Sequence, residues 1–177
     1  MNITVYLGAC EGCDPQLRQA VRELGTWIGT SGNSLVYGGS KTGLMGELAL
    51  AALEAGAGVT GVEPQFFVDS VLQLEGLTRL IVTPDIAERK AKMIELGDAF
   101  VAFPGGTGTL EEISQVMSMI GLGQLDASCV FYNLNGYYNP MAEQLDRMLA
   151  CDLTSPERLQ GISFARNLDE LVACLQA

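Results

Sequence analysis

Three observations predict an α/β fold in which a parallel sheet is covered by helices on both faces. Short β-rich runs alternate with helix-length apolar patterns along the chain, the runs are apolar on both faces, and several end at a Gly or Pro. A strand that is apolar all round belongs between two helical layers, and strict alternation of strand with helix favours parallel pairing. The expected arrangement is a doubly wound, Rossmann-like sheet forming one domain over residues 1–177.

The elements follow in order. "ITVYLG" (3–8) is the first strand, and a helical pattern runs over 15–28. "SLVYGG" (34–39) is the second strand, followed by a strongly apolar helix over 44–55. "GVTGVEP" (58–64), "RLIVTP" (79–84) and "DAFVAFPGG" (98–106) are the next three strands, with a helix over 85–96 between the last two. "ASCVFYN" (127–133) and "GISFA" (161–165) close the sheet, with helices over 138–150 and 167–176. Neither a linker nor an internal repeat interrupts the pattern.

Composition narrows the chemistry. The net charge of −11 repels phosphate backbones and anionic lipid, so neither nucleic acid nor a membrane is an expected partner. Charged residues and Gly break every apolar stretch before the roughly 18 residues that span a bilayer, and the N-terminus lacks a basic leader, so a cytoplasmic protein is expected. The chain has no histidine, which removes imidazole acid/base catalysis, His-dependent triads and histidine metal sites. Five cysteines include a single C-x-x-C, Cys10 and Cys13, without the second pair a zinc site needs. The expectation is that Cys10 caps the first strand and Cys13 packs in a loop. No metal or redox cofactor is implied.

Ligands of such sheets sit outside the carboxyl ends of the strands. Three loops there are rich in small residues: "GACEGCDP" (8–15), "YGGSKTGLMG" (37–46) and "PGGTGT" (104–109). Glycine lets backbone N–H groups approach an anion at the positive end of a helix. Neither the P-loop nor the dinucleotide fingerprint is matched, since Lys41 precedes its glycine.

Helical geometry selects the charges. At about 100° per residue, Glu88, Lys92 and Glu95 share a wet face, whereas Arg89 and Lys90 fall within the apolar arc of their helix. On the helix after "PGGTGT", Glu111 falls with Ser114, Gln115 and Ser118 on the polar arc, and Glu112 falls between Val116 and Met119. Inward-facing charges need partners. Thr109-x-x-Glu112 also matches a capping box, so a structural and a catalytic reading of Glu112 both stay open.

"YGGSKTGLMG", "ERK" (88–90) and "PGGTGTLEE" together resemble the Lonely Guy family, phosphoribohydrolases that release a free base from nucleoside 5′-monophosphates, including cytokinin ribotides. The family's members have often been labelled lysine decarboxylases. The resemblance implies a homodimeric enzyme with Arg89 and Glu112 as the catalytic pair. It further implies nucleotide contacts from Lys90, Gly105, Gly106, Thr107, Gly108, Thr109, Leu110 and Glu111, with Gly38, Gly39, Ser40, Gly43, Met45 and Ser118 as further substrate-binding positions. The chain departs from the family pattern at Ser40, Val71, Ala87 and Met119, where members commonly carry Gly, Glu, His and Trp. These departures bear on sugar and base contacts. The expected reaction is hydrolysis of the N-glycosidic bond of AMP or a cytokinin ribotide to free base and ribose 5-phosphate. The alternative is a non-catalytic carrier or sensor of a phosphorylated ligand, as in the molybdenum-cofactor carriers, which look similar around the second glycine loop.

Overall fold

A computed structural model describes residues 1–70 and 72–176, and Val71, one of the family departures, lies outside the described residues. The strands are β1 (Asn2–Tyr6), β2 (Ser34–Tyr37), β3 (Val59–Pro64), β4 (Arg79–Thr83), β5 (Ala99–Ala102), β6 (Ser128–Tyr132) and β7 (Ile162–Ala165). They pair in the order β4-β3-β2-β1-β5-β6-β7, and every strand pair is parallel. The helices are α1 (Gln16–Thr30), α2 (Gly43–Glu54), α3 (Gln65–Val68), α4 (Ile86–Leu96), α5 (Thr107–Gly121), α6 (Asn139–Ala150) and α7 (Leu168–Gln176). α3 is a single turn after Pro64, too short to register as a periodic pattern.

Two cores flank the sheet. Val21, Leu24, Ile28, Leu44, Leu48 and Leu171, from α1, α2 and α7, pack against Ile3, Val5, Leu35 and Val59 on one face. Met93, Ile94, Ile113 and Val116, from α4 and α5, pack with Tyr138 against Tyr6, Val36, Val62 and Phe131 on the other. The alternating elements and doubly apolar strands thus have the cause expected of them: each central strand is covered twice.

Local signals set the helix starts. The Asp85 carboxylate accepts from the Glu88 N–H at 2.8 Å and caps α4. α5 instead starts at Thr107 behind Gly106 without any side-chain cap, leaving its first N–H groups free among the described residues. β5 is shorter than its apolar run suggests, because Phe103 to Gly106 leave the sheet to form that loop.

The order of strands places the ligand crevice. β2, β3 and β4 extend from one side of β1, and β5, β6 and β7 from the other, so the chain reverses direction across the sheet between β1 and β5. At that point the loops after β1 and β5 diverge to opposite faces and open a cleft at their carboxyl ends.

Candidate active site

The loops after β1 and β5 touch back to back before they separate. The Gly8 N–H donates to the Pro104 carbonyl at 3.4 Å, and a Cβ on Gly105 would stand 2.7 Å from the Gly8 nitrogen and overlap the Thr109 hydroxyl. Gly105 is therefore required by close approach. Tyr137 closes the same loop from the other side, its hydroxyl donating to the Gly105 carbonyl at 2.5 Å, and the buried Tyr138 hydroxyl donates to the Phe103 carbonyl at 2.9 Å.

This loop forms one wall of a cavity of about 490 Å³. Gly105, Gly106, Thr107, Gly108 and Thr109 line it, with Arg89 and Glu112 at the base and Met45, Leu44, Leu17, Cys10 and Tyr137 around the rest. A smaller cavity of about 390 Å³ continues past Tyr137 along Leu110 and Met141. A larger depression along α1 carries Arg18 and Arg22, but both are already paired, with Glu47 and Glu54.

Arg89 reaches the cavity from the first turns of α4. Its Nε donates to the Val62 carbonyl at 2.9 Å, and its Nη1 bonds Oε1 of Glu112. Both side chains are nearly buried, at 11% and 12% exposure, so the pair is screened little by water. Burial pushes the Glu112 carboxyl above the ordinary carboxylate range, and the Arg89 guanidinium pulls it partly back. Lys90, one residue on, bonds Glu111 at 2.6 Å in a pair whose acid end is exposed.

The structure overturns the capping-box alternative for Glu112. α5 begins at Thr107 behind Gly106, so Thr109 lies inside the helix, with its hydroxyl against Gly105. Glu112 sits more than a turn into α5, facing Arg89 rather than the backbone of a cap residue. Cys10 and Cys13 differ as well: β1 ends at Tyr6, and both thiols are exposed, Cys10 at the cavity wall.

The other expected residues separate into groups. Gly38 packs against Arg89, since a Cβ there would stand 2.5 Å from its Nη2, and Gly39 packs against the Glu63 side chain. Gly43 abuts the backbone of Ala9 and Cys10. The Ser40 hydroxyl shares a 2.9 Å hydrogen bond with Thr42. These residues brace the cavity from behind. Leu110 faces the smaller cavity, whereas Glu111 and Lys90 pair with each other and line neither cavity. Ser118 lies about three turns along α5 and lines neither cavity. Tyr137 and Glu63 were not singled out from the sequence; a lone Tyr in a loop and a lone Glu in a strand carry no spacing signal.

The sequence of residues 45–175 matches the family model described as "Possible lysine decarboxylase". A cytokinin riboside 5′-monophosphate phosphoribohydrolase of Rhodococcoides fascians is 37% identical over 177 residues, covering 99% of this chain and 89% of the relative. An Arabidopsis thaliana enzyme of the same name is 34% identical over 176 residues, covering 99% and 77%. The chain belongs to the Lonely Guy family. Solved structures share the Lonely Guy chain's fold at lower identity. The Moco carrier protein of Chlamydomonas reinhardtii is similar with a TM-score of 0.73 and 22% identity, covering 99% of this chain and 94% of that one. The molybdenum cofactor binding protein of Rippkaea orientalis is similar with a TM-score of 0.71 and 19% identity, with the same coverage.

Proposed function

We propose that this protein is a phosphoribohydrolase that cleaves the N-glycosidic bond of nucleoside 5′-monophosphates, AMP or a cytokinin ribotide, to free base and ribose 5-phosphate. The observation that carries the reading is the buried Arg89–Glu112 pair at the base of a cavity whose wall is an uncapped glycine-rich helix start.

The 5′-phosphate sits on the free N–H groups of Thr107, Gly108 and Thr109, where the helix dipole adds positive potential. The ribose then lies over Glu112. As the C1′–N bond breaks, its electron pair leaves on the base and positive charge develops on the sugar ring. Glu112, ionised, stabilises that charge and is placed to take the proton of the water that attacks C1′, while the departing base takes up a proton from solvent and Glu112 later returns its own there. Arg89 holds Glu112 in position, and among the described residues its Nη2 has no protein acceptor, which leaves it free for the substrate. Leu7, Leu17, Leu44 and Met45 offer an apolar wall for the base.

The reading includes a cytoplasmic homodimer that takes a small-molecule nucleotide. Leu110 and Leu122, at the two ends of α5, are exposed, and Met117, Met119 and Ile120 are half-buried against the core, so a second copy on this face would cover an edge of the site.

Incubation with AMP, GMP, CMP and isopentenyl-AMP, with base and ribose 5-phosphate separated by chromatography, tests the proposal. Tight nucleotide binding without release of base would favour the carrier reading.

A further inference from the structure

Glu63, the last residue but one of β3, has no exposed surface, and among the described residues neither of its carboxyl oxygens has a hydrogen-bond partner. It lies directly beneath the first glycine turn: a Cβ on Gly39 would stand 2.9 Å from its Cδ and 3.2 Å from its Oε1. Gly38, the next residue back, packs on the Arg89 guanidinium. A buried carboxylate with no donor is costly, and the cation beside it, Arg89, already serves Glu112. An ionised Glu63 would place a second carboxylate in the field of Arg89 and negative charge behind the anion cavity. A neutral acid avoids both.

We infer that Glu63 is a positioning residue that acts as a neutral acid beneath Gly39, supporting the turn that holds Arg89 and leaving the guanidinium's charge for the anionic substrate. The inference rests on the nucleotide-binding reading of the site. Burial raises the Glu63 carboxyl above its ordinary value, with Arg89 opposing. Among the described residues, the titratable groups that face it are Arg89 from α4 and Tyr37 from β2, whose buried hydroxyl also has no partner there.

The consequence is a pH dependence opposite to that of the ligand. A phosphate monoester gains charge above about pH 6 and should bind a positive site more tightly. Ionisation of Glu63 should instead loosen AMP by roughly tenfold as pH rises through its raised pKa. AMP affinity, measured by calorimetry from about pH 5.5 upward so as to bracket the phosphate ionisation, is expected to fall for the wild type as Glu63 ionises and to hold or tighten over the same span for Glu63→Gln, which keeps the shape without the charge. Profiles that stay parallel over the pH range in which Glu63 itself ionises would overturn the inference, as would loss of AMP by a folded Glu63→Gln at every pH. A carboxyl ¹³C titration of the wild type reads the same group without a variant. A Glu63 signal that titrates in the ordinary carboxylate range overturns the inference even if the variant does not fold. Failure of AMP to bind either protein at any pH would instead overturn the nucleotide reading, while a raised titration would still stand in support of the neutral acid.

Discussion

Arg89 and Glu112 belong to helices of successive βα units, yet they meet in a nearly buried ion pair beneath the carboxyl end of the sheet. The pair exists because α4 carries the chain from β4, at one edge of the sheet, back to β5 beside β1, and α5 leaves β5 on the same face. α4 turns Arg89 towards the sheet, where the Val62 carbonyl fixes its Nε. α5 turns Glu112 towards it from behind the glycine loop. A buried pair of this kind is weak evidence for stability, because an apolar pair of equal volume would often serve as well. Its position in a cavity walled by an uncapped helix start is the stronger argument for chemistry.

Glu112→Gln should lower base release by roughly 10²–10³-fold or more while AMP still binds, because the glycine loop is untouched and only the charge facing the sugar is lost. Glu111→Gln is the control, since Glu111 is exposed and paired with Lys90, and its defect should be mild. Turnover, AMP affinity and thermal melting measured on both variants decide the matter. Equal turnover in the two would remove Glu112 from the chemistry.

Arg89→Met should cost more than activity. It leaves the Glu112 carboxylate buried without its paired guanidinium, a loss of about 3–5 kcal/mol, and the cavity should no longer hold AMP. Arg89→Met combined with Glu112→Gln should recover part of the melting temperature without recovering turnover. A double variant no more stable than Arg89→Met alone would show that the two residues are not coupled.

Much of this site was legible from the residues alone. Strand and helix order followed from apolar runs and their Gly or Pro ends, and the inward turn of Arg89 and Glu112 followed from helical spacing. The start of α5 was not legible: Thr109 looks like a cap because its spacing to Glu112 is right, but the Gly105–Gly106 loop lets the helix begin earlier, at Thr107. Glu63 was hidden for a different reason. In "GVTGVEP" it is one polar residue at a strand end, and only the packing of Gly39 over it shows that it has no route to water.

The rate should depend on pH through Glu112. Its carboxyl is raised by burial, so the ionised, active form is present above that raised value and is lost as pH falls through it. The acid limb of kcat/KM should therefore lie above the range of an ordinary carboxylate. Folding stability runs the other way for the same group: a raised folded-state pKa contributes stability at low pH, and that contribution is lost as pH rises. Glu111 raises the Glu112 carboxyl further, so Glu111→Gln should move the acid limb to lower pH. An acid limb that does not move in that variant, or moves upward, would contradict the assignment.

The two neighbouring glycines of the loop should fail in different ways. Gly105 has no room for a methyl group: a Cβ meets the Gly8 nitrogen at 2.7 Å as well as the Thr109 hydroxyl, so Gly105→Ala must push the β1 and β5 loops apart. A loss of about 1–3 kcal/mol is expected, in the range of core overpacking. A Cβ on Gly106 would meet no atom within 4 Å, and the φ of −90° there suits any residue. Gly106→Ala should therefore melt near the wild-type temperature. Its methyl group, however, stands at the cap of α5 on the cavity wall, where a phosphate would approach the free N–H groups. AMP affinity should fall in Gly106→Ala with the fold intact, whereas adenosine, which lacks the phosphate, should be turned over poorly by both proteins and discriminate little between them. Calorimetry with AMP alongside melting curves separates the two positions. A Gly106→Ala protein that binds AMP as tightly as the wild type would move the phosphate away from the start of α5.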